Sequence, residues 1–255
     1  MHALFASEIR MTYCVGILVD EGLVFLSDSR TNAGVDQIST FRKVALFEHP
    51  GDRVMVLMTA GNLAISQALI SILHERFADK TSEANVSLAN AKNMFEAARI
   101  VGEGLREVYH RDAAALKENG VEFNATLIFG GQIAGELPRL FNIYSAGNFI
   151  EATPDTPYFQ IGESKYGKPI LDRVITRSLG LQRSVKCALV SMDSTIRSNL
   201  SVGLPLDLIT VKRDALRIGS HVNIDAQHQY YTMINRQWSE SLRHAFHAIP
   251  DPDWL

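Results

Sequence analysis

The stretch TYCVGILVDEGLVFLSDSRTNAG, from Thr12 to Gly34, contains two short apolar runs separated by Asp-Glu-Gly. Runs of this length and composition are typical of β-strands, and Asp-Glu-Gly is typical of a turn between strands. We therefore predict a β-hairpin. Because hairpin strands are antiparallel, the end of the second strand returns to the beginning of the first, and we expect Asp28 beside Thr12.

The rest of the chain alternates between strand and helix patterns. Two further apolar runs, 43–48 and 53–61, are joined by His-Pro-Gly-Asp and predict two more strands. Apolar residues at three- and four-residue spacing mark the helices. The remaining predictions are helices at 62–80 (capped by Asn62), 88–116, 168–179, 184–203 and 227–247, and strands at 123–131, 138–147, 158–162, 206–213 and 216–222.

This order of elements predicts one α+β domain spanning residues 11–255. No Pro/Gly/Ser-rich linker divides the chain, and two antiparallel sheets packed face to face, with helices outside each, would bury every apolar stripe. Residues 1–10 stand before this domain as an extension. They lack the cationic start and long apolar run of a secretory signal, so they are either a pro-segment or the result of a start assigned one methionine too early.

Composition excludes several classes of function. The net charge is −3, and no Lys/Arg run exceeds two residues, so we predict neither nucleic acid nor a membrane surface as partner. No apolar run approaches the roughly 18 residues of a transmembrane helix. Cys14 and Cys187 lie in apolar surroundings and predict buried thiols, which fits a cytoplasmic location.

The sequence offers no cofactor site. The eight histidines are scattered, and their close pairs lack the carboxylate or cysteine partners of a metal centre. The glycine-bearing stretches have neither a phosphate-loop lysine nor a dinucleotide-binding pattern. We predict no metal and no cofactor, and any ATP dependence would come from a partner protein.

Thr12 is a candidate nucleophile. A threonine hydroxyl needs a base, and an N-terminal threonine carries one in its own α-amine, which titrates at about 7.7–8.0. Met11 stands directly before this small residue, in a position where methionine can be removed. The alternative is that Thr12 is an ordinary β-branched strand residue.

Three residues support the nucleophile hypothesis. A buried Lys43 ammonium paired with Asp28 would lower the pKa of both the hydroxyl and the amine of Thr12. Gly61, between a strand and a helix, offers a backbone N–H to an anion. Each has an ordinary alternative: a turn aspartate, a solvated lysine at a strand end and an isolated glycine.

These motifs resemble a known family. Thr12, SDSRTNAG, RKV and TAGN, in this order, resemble the N-terminal half of a proteasome-type β-subunit. MTYCVG, SDSRTNAGVDQIS and GESKYGKPILDR resemble the bacterial Anbu (ancestral β-subunit) family, related to the peptidase HslV. The resemblance implies a four-layer αββα sandwich, the N-terminal nucleophile (Ntn) hydrolase fold. It also implies Thr12 as nucleophile, Lys43 as pKa modulator, Asp28 as its orienting partner and Gly61 as oxyanion donor.

Later positions depart from the proteasomal pattern. Where proteasomal subunits have a Gly-Ser-Gly turn, this chain has Gly-Glu-Ser at 162–164, so either Glu163 takes the place of the serine or Ser164 substitutes for it. Ser201 resembles the family's second serine, and Ser198 stands where an aspartate is expected. Asp193 lies upstream as a possible replacement, although a place on the helix surface is the simpler expectation.

The resemblance implies a threonine peptidase that acts on polypeptides and assembles as a homo-oligomer, either a ring or an open spiral. Two alternatives stay open. The chain is a weakly active or non-proteolytic assembly module, as the departures at Glu163 and Ser198 suggest, or it is an amidase for small or unusual amides, because one fold serves many substrates.

Overall fold

A computed structural model describes residues 12–32, 38–79 and 87–254. The predicted extension at 1–10, Met11 and the predicted helix end at Lys80 lie outside these ranges. The described strands are β1 (Tyr13–Val19), β2 (Gly22–Asp28), β3 (Arg30–Asn32), β4 (Ile38–Thr40), β5 (Val44–His49), β6 (Arg53–Gly61), β7 (Ala125–Ile133), β8 (Arg139–Ile143), β9 (Phe149–Glu151), β10 (Tyr158–Gly162), β11 (Leu206–Lys212) and β12 (Ser220–Ile224). The described helices are α1 (Leu63–Ala78), α2 (Met94–Glu118), α3 (Lys168–Val174), α4 (Leu181–Ser198) and α5 (Gln229–His247).

The predicted hairpin is confirmed and forms the centre of the first sheet. This sheet has the antiparallel order β10-β1-β2-β11-β12. Cys14 pairs with Ser27 across β1 and β2, and Tyr13 pairs with Gly162 across β1 and β10. The start of β1 therefore lies between the ends of its two neighbours.

The second sheet has the order β5-β6-β7-β8-β9, and Gly61 at the end of β6 pairs with Ala125 at the start of β7. A separate two-stranded ribbon, β3-β4, connects the two sheets in sequence. The strands β3, β4 and β9 were not predicted from the sequence. Each has only three residues, too few for a period-two pattern to stand out.

Three hydrophobic clusters hold the sheets and helices together. Residues from both five-stranded sheets, including Phe25, Met58 and Ile128, form one cluster. A second joins the β5–β9 sheet to α1 and α2, and a third joins the other sheet to α3, α4 and α5. The described residues thus form a mixed α+β structure in which helices cover sheets, as the sequence predicts. None of the described helices is long and apolar enough to cross a membrane.

Several predicted boundaries are wrong for identifiable reasons. The second helix begins at Met94 rather than 88, because the Asn93 side chain caps it by accepting a hydrogen bond from Glu96 N. The helix predicted at 184–203 ends at Ser198, where Asn199 leaves helical backbone angles. The last strand begins at Ser220 rather than 216, because Asp214 and Leu216 adopt positive φ in the preceding turn.

Candidate active site

Thr12 lies at the start of β1 with only 7% of its surface exposed. Its carbonyl oxygen accepts a hydrogen bond from Glu163 N at 2.7 Å. Gly162, the residue before Glu163, has φ +79°. A Cβ built on Gly162 would lie 1.9 Å from the Thr12 carbonyl oxygen. Such a contact is impossible for any side chain, so the close approach of β10 to Thr12 requires glycine here.

Asp28 connects the residue after Thr12 to Lys43. One carboxylate oxygen, Oδ1, accepts hydrogen bonds from Tyr13 N at 3.0 Å and from Lys43 Nζ at 2.8 Å. Lys43 Nζ also donates to the Arg30 carbonyl oxygen at 2.7 Å. The hairpin and the start of β5 therefore bring the predicted pair of charges together beside Thr12.

The Asp28–Lys43 ion pair is buried, with the Asp28 side chain 0% exposed and that of Lys43 6% exposed. Burial raises the pKa of Asp28, and the Lys43 ammonium and the backbone N–H groups of Tyr13 and Gly203 oppose that rise. In surroundings from which water is largely excluded, each charge depends on the other for compensation.

Arg30 joins this ion pair to the loop after α4. Its guanidinium donates to the Leu200 carbonyl oxygen at 3.1 Å, and a Cβ on Gly203 would lie 2.4 Å from Arg30 Cζ. The same residue thus binds Lys43 through its carbonyl and the loop through its side chain. The sequence did not indicate this role for Arg30, because its side chain contacts Leu200, which lies 170 residues away.

Glu163 and Ser201 are linked through Asn199. The Glu163 carboxylate accepts a hydrogen bond from Asn199 Nδ2 at 3.2 Å, and Asn199 Oδ1 accepts one from Ser201 N at 2.8 Å. In the Gly-Glu-Ser turn, the contact with Thr12 is made by the Glu163 backbone N–H rather than by its carboxylate. The Ser164 carbonyl instead accepts from Lys168 N, at the start of α3.

Ser198 and Asp193 both lie on α4, where it faces α5. Ser198 is exposed and lines a cavity of about 360 Å³ between α4 and α5. The expectation that Asp193 lies on the helix surface is wrong, because it is 2% exposed and accepts a hydrogen bond from Asn235 Nδ2 at 2.6 Å. The spacing of apolar residues along α4 did not show that α5 would cover Asp193.

Gly61 is the last residue of β6, immediately before α1. It is exposed and has φ +110°, and a Cβ on it would lie 2.4 Å from the Asn124 carbonyl oxygen. The predicted cap is confirmed, since the Asn62 side chain accepts hydrogen bonds from Ala64 N and Ile65 N. The strand-to-helix junction is therefore specific for glycine.

A second buried carboxylate holds the residue after Asp28. Asp207 is 1% exposed and accepts hydrogen bonds from Ser29 Oγ at 3.0 Å and from Asn223 Nδ2 at 3.4 Å. Sequence analysis overlooked Asp207. The available signal was an aspartate inside the apolar strand LDLITV, where a charge needs partners.

Both cysteines are free and buried, as predicted. Burial raises the pKa of Cys14 and raises that of Cys187 to about 12, so neither thiol is an activated nucleophile. Within the described ranges, no group of three or more His, Cys, Asp or Glu side chains is placed to hold a metal ion.

The fold defines the class of proteasome-like proteins, as solved structures indicate. Anbu from Yersinia bercovieri is 50% identical with a TM-score of 0.89, and covers 96% of this chain and 100% of its own. Anbu from Hyphomicrobium sp. strain MC1 is 48% identical with a TM-score of 0.88, covering 95% and 100%. The helical assembly of the Anbu complex from Pseudomonas aeruginosa is 48% identical with a TM-score of 0.90, and the match covers 95% of this chain and 99% of that one.

This chain belongs to the Anbu (ancestral β-subunit) family. No protein-family model and no curated protein matches it.

Proposed function

We propose that this protein is a proteasome-type threonine peptidase of the Ntn-hydrolase fold. The three hydrophobic clusters support a four-layer αββα sandwich, built by one domain over residues 11–255. The observation that carries the proposal is the shared Asp28 oxygen, which accepts hydrogen bonds from Lys43 Nζ and from the backbone N–H next to Thr12. This arrangement supplies a buried cation close to a candidate nucleophile.

Removal of the residues before Thr12 frees its α-amine in this mechanism. The amine, acting through a water molecule, takes the hydroxyl proton while Thr12 Oγ attacks the carbonyl carbon of a peptide bond. A C–O bond forms, the C–N bond breaks, and the leaving amine takes that proton. Water then attacks the ester and releases the acid and the threonine hydroxyl.

Lys43 and Gly61 stabilise the charges that this reaction develops. The Lys43 ammonium, held by Asp28 and the Arg30 carbonyl, favours the alkoxide form of Thr12. The backbone N–H of Gly61, an exposed residue without a side chain, receives the oxyanion. Ser201 and Glu163, linked through Asn199, are proposed to orient the freed amine.

Covalent labelling and intact mass test this proposal together. We expect the mature protein to begin at Thr12 and to gain one adduct from a threonine-directed electrophile. Thr12→Ala should abolish the adduct and peptide hydrolysis, whereas the matched control Thr153→Ala, in an exposed turn, should retain both. Undiminished hydrolysis by Thr12→Ala, or by protein that keeps its upstream residues, would show that the mechanism is wrong.

A second candidate function is a weakly active or non-proteolytic assembly module. The observation favouring it is that Ser198, which stands where the resemblance leads us to expect an aspartate, is exposed and lines the α4–α5 cavity. A correctly processed protein that binds no electrophile would support this alternative. Labelling by the electrophile, with turnover confined to small amides in substrate profiling, would instead support an amidase.

We further propose that the protein is a cytoplasmic homo-oligomer, since its cysteines are free and a relative forms a helical assembly. Its substrates would be polypeptides, and an ATP-dependent partner would supply any unfolding activity.

A further inference from the structure

The C-terminal segment, residues 241–254, is exposed at every position. Four large apolar side chains are among the most exposed in the described chain: Leu242 at 51%, Phe246 at 73%, Ile249 at 68% and Trp254 at 80%. Leu242 and Phe246 are four residues apart and lie on one face of α5, and Ile249 follows two residues after the helix ends. The end of α5 and the turn after it therefore carry apolar side chains that the described residues leave largely uncovered.

A single helical extension of this kind is not stable without packing. Isolated helices of fewer than about 12 residues are marginal in water, and contiguous exposed apolar surface generally marks an interaction site. The face is thus expected to be covered in the functional protein.

An apolar groove of suitable character lies between α3, α4 and α5. Its volume is about 570 Å³, and its apolar walls include Ile170, Leu179, Val190 and Met233. Two basic residues of α4, Arg183 and Lys186, also line it. Cys187 contributes a buried thiol to the same wall.

The charges of the groove and of the residues after α5, 248–254, are complementary. After α5 the chain reads AIPDPDWL, in which the charged side chains are Asp251 and Asp253. An acidic, apolar segment suits an apolar groove that carries Arg183 and Lys186, and opposite charges at the edge of an interface fix orientation and disfavour other partners.

None of the described residues after Ser241 lines the groove of its own chain. Residues from Tyr230 to Ser241 of α5 already form one wall of that groove. Since a helix rises about 1.5 Å per residue, Phe246 lies about 7 Å beyond Ser241 along the axis. The groove is therefore open to the corresponding segment of another molecule.

We propose that the C-terminal segment of one copy docks into the apolar groove of a second copy of this chain, with Asp251 and Asp253 facing Arg183 and Lys186. This interface goes beyond the proposed peptidase activity, because it requires neither processing of Thr12 nor a competent active site. It provides a specific contact for the homo-oligomer.

Charge reversal in the full-length protein tests the contact by its effect on mass in analytical ultracentrifugation. We expect Arg183→Glu/Lys186→Glu and, separately, Asp251→Lys/Asp253→Lys to weaken self-association at least about tenfold. The chain carrying all four changes should regain most of the loss. Lys212→Glu, an exposed lysine on β11, is the matched control and should assemble as wild type. Wild-type assembly by either double variant, or no recovery in the fourfold variant, would overturn the proposal.

Cross-linking keeps the proposal testable if a charge-reversed variant fails to fold. A photoreactive phenylalanine analogue at the exposed Ile249 is introduced into a mixture of isotopically heavy and light protein. We expect mixed-isotope cross-links to peptides within residues 168–190 or 230–241, which line the groove. Cross-links confined to one copy, cross-links to other peptides or no cross-links would refute the contact.

Discussion

The Asp28 carboxylate and the Lys43 ammonium lie 2.8 Å apart, and both side chains are almost completely buried. A buried ion pair adds little net stability when intact, because desolvation offsets attraction, but removing one partner is costly. The pair is therefore not explained by a gain in folding stability, and a requirement of function explains it better. Perturbed, buried charges next to a candidate nucleophile are common in active sites.

Breaking this pair should destabilise the fold more than breaking an exposed one. Asp28→Ala leaves the Lys43 ammonium without its carboxylate and should lower the free energy of unfolding by about 3–5 kcal/mol in urea denaturation. Glu107→Ala, which removes the exposed partner of Arg76, should cost less than about 1 kcal/mol. Asp28→Ala/Lys43→Met should recover stability but not electrophile labelling. Equal costs for the two single variants would contradict the buried-pair interpretation.

Gly162→Ala should disrupt the start of β1. Its Cβ would overlap the Thr12 carbonyl oxygen, so the backbone must move, and we expect a loss of about 3 kcal/mol or more with little electrophile labelling. Gly51→Ala is the matched control, because it has a similar φ of +84° but nothing within 4 Å of its Cβ. The positive φ alone should lower the free energy of unfolding of Gly51→Ala by about 1–2 kcal/mol. Similar stabilities for both variants would mean that Thr12 is not tightly held.

Glu163 should influence the pH dependence of hydrolysis. A nearby carboxylate favours the protonated form of an amine, so Glu163→Gln should lower the pKa of the freed Thr12 amine. Because the amine acts as a base, activity rises with pH through that pKa. The acidic limb of kcat/KM should therefore move to lower pH, with kcat reduced about tenfold. The control Glu122→Gln changes an exposed residue and should leave the acidic limb unchanged. An equally unchanged limb in Glu163→Gln would exclude this positioning role.

The two native thiols should not react near neutral pH. Only the thiolate is nucleophilic, and burial raises the pKa of Cys187 to about 12. Reactivity should therefore rise only as the pH approaches that pKa. Ellman's reagent should detect no thiol in native protein and two in denaturant, whereas Ser220→Cys on exposed β12 should add one fast-reacting thiol. Rapid native labelling of Cys187 would show that its wall of the groove opens.

Local pattern was sufficient for much of the fold. The hairpin that brings Asp28 beside the start of β1 follows from two apolar runs and a turn, and the Asn62 cap follows from a side chain at a helix start. These features depend on residues near one another in sequence. The ribbon β3-β4 was missed because three-residue strands carry no readable period.

The sequence by itself determined the alternation of strands and helices, the adjacency of Thr12 and Asp28, and the family resemblance. Each of these follows from the residue types and their spacing along the chain. Only the tertiary structure decided that Asp193 is buried under α5, that Glu163 reaches Ser201 through Asn199, and that Arg30 holds the loop after α4. Those contacts join residues from 36 to 170 positions apart. Their geometry is set by how sheets and helices pack, which no local pattern encodes.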